Sequence, residues 1–286
     1  MTTPALHRPA LAAVWMLGGI VCFTLLAIAG RAVAPAHDTF EIMLYRSMIG
    51  LTLVLGWAGL TGARVRRGPL PLHLARNLSH FAGQNLWLHA ITVLPLAQVF
   101  ALEFTTPIWV LLLSPLLLGE RITRSGALAA ALGFVGVLVV AQPGTTLDPG
   151  LMAAALCATG FALSVIFTKR LTRTESLLSI LFWLNLMQLG FALVGAGWDG
   201  VIALPPHWAL GWLGLIGVAG LAAHLCLTRA LQLAPAASVM PIDFLRLPVI
   251  VAVGVWLYAE PVNPWIILGG ALILAANWLN LRRSRR

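Results

Sequence analysis

Four charged side chains, Arg46, Glu103, Asp243 and Arg246, stand inside long apolar runs rather than between them. A charge at the centre of a helix in hydrocarbon costs on the order of 2.5 to 3.5 kcal/mol on insertion scales, so such residues face a partner or a polar path. Asp243 and Arg246 are three apart, which makes them neighbours on one helical face. Glu103 and Arg46 lie at similar depths and are placed to pair across helices. Carboxylates in this setting hold a proton, a substrate amine or an arginine, and arginine holds a carboxylate. A transport site and a set of structural ion pairs both fit.

A second group is polar without formal charge. Asn77, His80, Gln84 and Trp87 fall within one helical arc, and Gly217, Gly220, His224 and Thr228 share a face of a later run. Histidine exchanges a proton near neutral pH, so His80 and His224 are candidates for coupling, with a hydrogen-bonded structural role as the alternative. Nothing in the pattern predicts catalysis. There is no His-Glu-x-x-His, no His/Cys spacing suited to a metal, and Ser79 and His80 diverge as sequence neighbours on a helix. Neither an enzyme nor a cofactor is expected.

The elements that must position these groups follow from composition. The chain has 286 residues, 60% hydrophobic and 9% charged, against roughly 25% charged in a soluble domain. Ten apolar segments fit between the charged and Gly/Pro-rich breaks: 11–30, 40–60, 72–94, 97–118, 126–141, 150–168, 176–198, 207–232, 236–258 and 263–281. Most have the length that about 30 Å of hydrocarbon requires. The prediction is an all-α polytopic membrane protein. The first run is too long for a signal-peptide core and is read as a span.

The single lysine, Lys169, lies outside any phosphate-cradling Gly-x-x-x-x-Gly-Lys pattern, so any pumping draws on a gradient or a partner. A net charge of +9 is spread over short loops, which argues against nucleic acid as partner. With the amino terminus inside, thirteen loop and tail cations lie on the cytoplasmic side and only Arg31 outside, the asymmetry that places both termini in the cytoplasm. Trp198, Trp208, Trp212, Trp256 and Trp265 then mark outer span ends and Trp57 and Trp278 inner ones, as interfacial anchors. Cys22, Cys157 and Cys226 lie within apolar runs and read as small core residues.

Sliding the chain by 140 residues aligns Ala90 with Ala230, Pro95 with Pro235, Ala97 with Ala237, Val99 with Val239, Glu103 with Asp243, Phe104 with Phe244 and Glu120 with Glu260. Gln84 falls on His224 in the same register. Residues 1–142 and 143–286 thus form two repeats of five spans, and an odd number of spans inverts the second. Inverted repeats supply the two exchangeable half-structures of alternating access. Glu103 and Asp243 are then expected to flank a central cavity from opposite sides. Pro107 and Pro248 interrupt equivalent spans just after the acids and are candidate gates. Glu120 and Glu260 are expected to cap or to contact the other repeat's loop. Small residues Gly126, Ala129, Ala130, Gly133 and Gly136, and Gly269, Gly270, Ala275 and Ala276, form faces for helix packing within a protomer or between copies, leaving oligomeric state open.

The repeated endings LLLSPLLLGERI and VAVGVWLYAEPV, the segment IDFLRLPVIVAVGVWLYAEPVNPWIILGGALILAAN and the earlier FEIMLYRSMIGLTLVL resemble the drug/metabolite transporter superfamily, in its EamA-type branch. The resemblance covers nearly the whole chain. It implies a bundle whose central cavity is lined by spans one, three, four, six, eight and nine, with five and ten peripheral. It further implies a bacterial inner-membrane protein that is similar to exporters of amino acids, the aromatic amino acid exporter included, with S-adenosylmethionine carriers as relatives. With only Tyr45 and Tyr258 in the chain, a mixed set of amino acids is the expected small-molecule substrate. A drug or organic-cation exporter of the same fold and uptake of a nucleoside-like metabolite are the alternatives.

Overall fold

In the computed structural model, residues 8–118, 124–141, 148–234, 239, 242–243, 245–261 and 263–284 are described. Eleven α-helices are described: α1 Pro9–Val33, α2 Thr39–Thr61, α3 Leu70–Val93, α4 Leu96–Glu103, α5 Thr106–Leu118, α6 Arg124–Ala141, α7 Pro149–Leu171, α8 Leu177–Ala196, α9 His207–Leu233, α10 Arg246–Tyr258 and α11 Pro264–Ser284. No strand occurs among the described residues.

Six segments are long and apolar enough to cross a membrane by length and composition, and Ala130–Val140, Arg246–Tyr258 and Pro264–Ala276 are shorter apolar helices. With α3, whose polar arc lowers its hydropathy, they account for the ten segments read from the sequence. Helix boundaries follow local chemistry. Asp38 accepts from the Glu41 backbone N–H while the Glu41 carboxylate accepts from that of Asp38, a reciprocal cap that starts α2. Gly62, with φ 65°, ends it in the left-handed conformation that glycine adopts without a Cβ penalty. Ser176 caps α8 through the Ser179 N–H.

The fourth span is two helices. α4 ends on Glu103, Phe104 and Thr105 form a turn, and α5 begins at Thr106. The ninth behaves alike at the 140-residue offset: Ile242 and Asp243 are helical, Leu245 is a turn, and α10 starts at Arg246. Pro107 and Pro248 therefore do not kink continuous helices as expected. Each sits in the first turn of the second half-helix, where a missing N–H removes no intrahelical bond. The break comes before the proline, at residues that follow the acid.

The chain divides into two compact units, 1–81 with 166–239 and 82–165 with 240–286. Each draws on both halves of the sequence. In the first, α1 packs along α9, and α2 packs against α8 and α9. Small residues set the spacing here: a Cβ on Gly50 of α2 would overlap the Asn185 side chain of α8. Val54, Leu178, Leu181 and Leu184 form a buried cluster there.

In the second unit α6 lies against α11, and a Cβ on Gly136 or Gly269 would come within 2.8 or 2.7 Å of the other glycine's carbonyl oxygen. The glycine faces of the fifth and tenth spans thus meet each other, as small-residue helix contacts in lipid do. Trp198, Trp208, Trp256, Trp265 and Trp278 are more than half exposed, as side chains anchored at an interface would be. The expectations for Glu120, Arg121 and Pro235 lie outside the described residues.

Candidate functional site

The polar side chains singled out in the sequence are buried, and most of them fall into two constellations, one in each unit. The first lies wholly in the unit of 1–81 and 166–239. Arg46 of α2, 2% exposed, donates from Nη1 to Oε1 of Gln188 on α8 at 3.0 Å. The Gln188 Nε2 is hydrogen-bonded to Nδ1 of His80 on α3. The His80 ring meets the His224 ring of α9 edge-on, with centroids 4.6 Å apart, and Phe23 of α1 packs on His224 at 6.0 Å. One turn before His80, Arg76 donates from Nε to Thr168 Oγ1 at 3.1 Å and from Nη1 to Asn77 Oδ1 at 2.7 Å. Asn77 in turn donates to the Trp183 carbonyl oxygen at 3.2 Å.

Close helix approach makes room for this cluster. A Cβ on Gly220 of α9 would lie 2.5 Å from Arg46 Nε, so the guanidinium occupies the space that glycine leaves. Gly217, one turn earlier, does the same for Ile49, whose Cγ2 would be 2.5 Å from an added Cβ. The glycines read from the sequence as sharing a face with His224 are therefore the seat of the α2 side chains.

The second constellation lies wholly in the unit of 82–165 and 240–286. Arg246, the first residue of α10, donates from Nη2 to Glu103 Oε1 at 2.6 Å and to Asp243 Oδ2 at 2.9 Å. Trp87 Nε1 donates to the other Glu103 oxygen at 2.8 Å. The guanidinium lies over the rings of Phe100 and Phe104, 4.9 and 5.4 Å from their centroids, a placement favourable to a cation. Two carboxylates on one guanidinium leave a formal excess of one negative charge. Asp243 Oδ1 is buried and accepts no hydrogen bond.

Two expectations change. The expected partner of Arg46 is Glu103, but within its own unit Arg46 bonds the Gln188 carboxamide, and within the other Glu103 is held by Arg246. Glu103 and Asp243 do not flank a cavity from opposite sides. The equivalent acids of the two repeats converge on the same arginine. Gln84 is 3% exposed on α3. Pro248 is exposed and lines a pocket of about 430 Å³ with Pro95, Leu247, Val251 and Val255, which reaches Glu260 but not the triad. Glu260 does contact the other repeat's loop, accepting at 2.9 Å from the backbone N–H of Leu96, the first residue of α4.

Gln188 and Arg76 were missed as site candidates. A signal existed for both: Gln188 and Asn185, three apart, interrupt the apolar middle of the seventh span, and Arg76 lies four before His80 on the same arc.

Comparison with known proteins places this architecture. The model of the EamA-like transporter family matches residues 10–142 and again 148–282. A riboflavin transporter of Rhizobium johnstonii is 28% identical over 286 residues, covering 98% of this chain and 93% of that protein. A riboflavin transporter of Brucella anthropi is 32% identical over 256 residues, 85% and 88% of the two chains. An S-adenosylmethionine uptake transporter of Rickettsia prowazekii is 23% identical over 264 residues, 92% and 89% of the two chains. A solved crystal structure shares the fold with a TM-score of 0.69 at 18% identity, covering 96% of this chain and 98% of its own. Matched twice and nearly end to end, this chain belongs to the EamA-like transporter family of the drug/metabolite transporter superfamily and is a multi-pass membrane transporter.

Proposed function

We propose that the protein is a secondary transporter of a heterocyclic metabolite of the riboflavin or S-adenosylmethionine kind, working by alternating access in a bacterial inner membrane with both termini in the cytoplasm. The observation that carries this reading is the near full-length similarity to riboflavin transporters. The first constellation supports it chemically. Gln188, His80 and His224 offer donors and acceptors beside the aromatic ring of Phe23, which suits the polar edge and flat face of a heteroaromatic ring system.

Mixed amino acids, the substrate expected from the sequence, and amino-acid export have less support, since the relatives carry names of larger heterocyclic substrates. His80, Gln84, Trp87, His224 and Arg46 are assigned to substrate binding or translocation. Glu103, Asp243 and Arg246 are assigned to coupling, because a triad with one surplus carboxylate can take up one proton or cation. Pro107 and Pro248 are assigned to gating at the two helix breaks. No catalytic step is assigned to any residue.

Counterflow in proteoliposomes tests the reading. Vesicles preloaded with unlabelled riboflavin, S-adenosylmethionine or an amino-acid mixture are given the labelled form outside. Accumulation of riboflavin or S-adenosylmethionine is the expected result. Accumulation of threonine, methionine or phenylalanine alone would restore the amino-acid reading and overturn this one.

A further inference from the structure

The first constellation has a charge problem that its own unit does not solve. Arg46 and Arg76 are both 2% exposed, and arginine does not shed its proton in proteins. Their hydrogen-bond partners are neutral: Gln188 for Arg46, Thr168 and Asn77 for Arg76. The described acids of the same unit lie at other places in it. Asp38 and Glu41 cap α2, with Glu41 also holding His37 and the Ala203 N–H. Glu175 lies at the Gly68 turn with Oε2 buried and unpartnered, and Asp199 accepts from the Val201 N–H in an exposed loop. Buried charges are paired or ligand-directed as a rule, and among the described carboxylates of this unit none pairs with Arg46 or Arg76.

Two polar atoms of α2 and α9 are also left over. Arg46 Nε and His224 Nδ1 are buried without hydrogen-bond partners, on residues at most 4% exposed. The groups come from α2 and α9, which pack together, with Gly220 leaving the guanidinium its space. A fork of guanidinium N–H groups matches two oxygens of a carboxylate or phosphate.

We propose that this cluster is the recognition site for an anionic group, a carboxylate or a phosphate monoester, on the transported molecule. Arg46 is the principal ligand, His224 lies beside it, and Arg76 supplies a second positive charge one turn from His80. The anion brings the counter-charge that the folded unit lacks, so the charged substrate binds more tightly than an uncharged analogue. The proposal rests on the heterocyclic-metabolite reading for the identity of the rest of the molecule, but not for the anion itself.

Two arms separate these. In phosphatidylcholine proteoliposomes, initial uptake is compared within matched pairs: riboflavin 5′-phosphate against riboflavin, and S-adenosylmethionine against its decarboxylated form. In at least one pair the anionic member is expected to show a KM at least tenfold lower, and Arg46→Gln is expected to collapse that ratio to near one. Arg46→Lys keeps the charge without the fork and retains part of the ratio, as does Gly220→Ala, which presses on Nε. A purely structural Arg46 would weaken both members alike and leave the ratio unchanged, which overturns the proposal. Equal KM values within both pairs in the unaltered protein overturn it as well.

If neither pair is carried, the heterocyclic reading falls and the second arm alone decides. Purified protein in micelles free of phospholipid is melted in inorganic phosphate or glutarate against chloride at equal ionic strength. Saturable stabilisation that Arg46→Lys weakens at least fivefold in apparent Kd supports the site. Equal melting in all three anions overturns it.

Discussion

Arg46 and Arg246 are both nearly fully buried, yet their surroundings differ. Arg246 is held between two carboxylates and laid over two phenylalanine rings, whereas Arg46 has a carboxamide. Removing the cation from the first arrangement strands Glu103 and Asp243 without compensation. Arg246→Gln is therefore expected to destabilise by about 3 to 5 kcal/mol, the cost of breaking a buried ion pair from one side. Arg246→Lys should fall between, since an ammonium keeps the charge but not the flat stack on Phe100 and Phe104. Melting of both variants in detergent, ordered unaltered above Lys above Gln, checks this. The converse substitutions, Glu103→Gln and Asp243→Asn, each remove the surplus negative charge and leave a neutral hydrogen-bonding group of the same shape. Flux is expected to fall at least tenfold in one of them with expression retained. Unaltered flux in both would take the triad out of coupling and leave it a structural clamp.

At the level of elements, a second half-helix starts three residues after each acid, at Thr106 after Glu103 and at Arg246 after Asp243. Short helices such as α4, eight residues long, are marginal by themselves and depend on caps and packing. The α4 N-terminus receives the Glu260 carboxylate at the Leu96 N–H, and a negative charge there also complements the helix dipole. Glu260→Gln should cost about 1 kcal/mol, the usual scale for an N-terminal cap, readable as a small drop in melting temperature. Pro107→Ala tests the break itself. The proline sits where its missing N–H harms nothing, so its removal should change stability by less than about 1 kcal/mol. It does, however, remove a barrier to joining α4 and α5 into one helix. Reduced flux at unchanged melting marks the break as a moving joint, and unchanged flux marks it as a static bend.

On the scale of the whole molecule, the orientation expected from loop charges gives a direct test. With both termini in the cytoplasm, the Asp199 loop faces outward. A membrane-impermeant thiol reagent applied to intact cells should then label Asp199→Cys and spare Arg286→Cys, with lysed cells labelled at both. The opposite pattern would reverse the topology. The native cysteines give little background, as Cys157 and Cys226 are buried and Cys22 is partly so.

Span number, the polar arc of α3, the paired prolines and the 140-residue register were legible in the sequence because each is a local or translational pattern. Hydrophobic length is set by bilayer thickness, arc membership by 100° per residue, and repeats by identity in register. The family could be read for the same reason, its motifs being contiguous. Which charged groups meet was not legible. Arg46 and Glu103 match in depth, but depth fixes only one coordinate, and the helix neighbours that fix the others come from packing of small residues such as Gly50 of α2 against Asn185 of α8 and Gly220 of α9 against Arg46. The same packing brought Gln188 to Arg46 and joined the two repeats' acids on one arginine. Composition and periodicity thus determined that the chain is a ten-span helical membrane protein with costly polar groups inside it, and the repeat and the family motifs pointed to transport. Only tertiary structure decided which of those groups bond one another and which have neutral partners in their unit, because that depends on distances of a few ångströms between helices far apart in sequence.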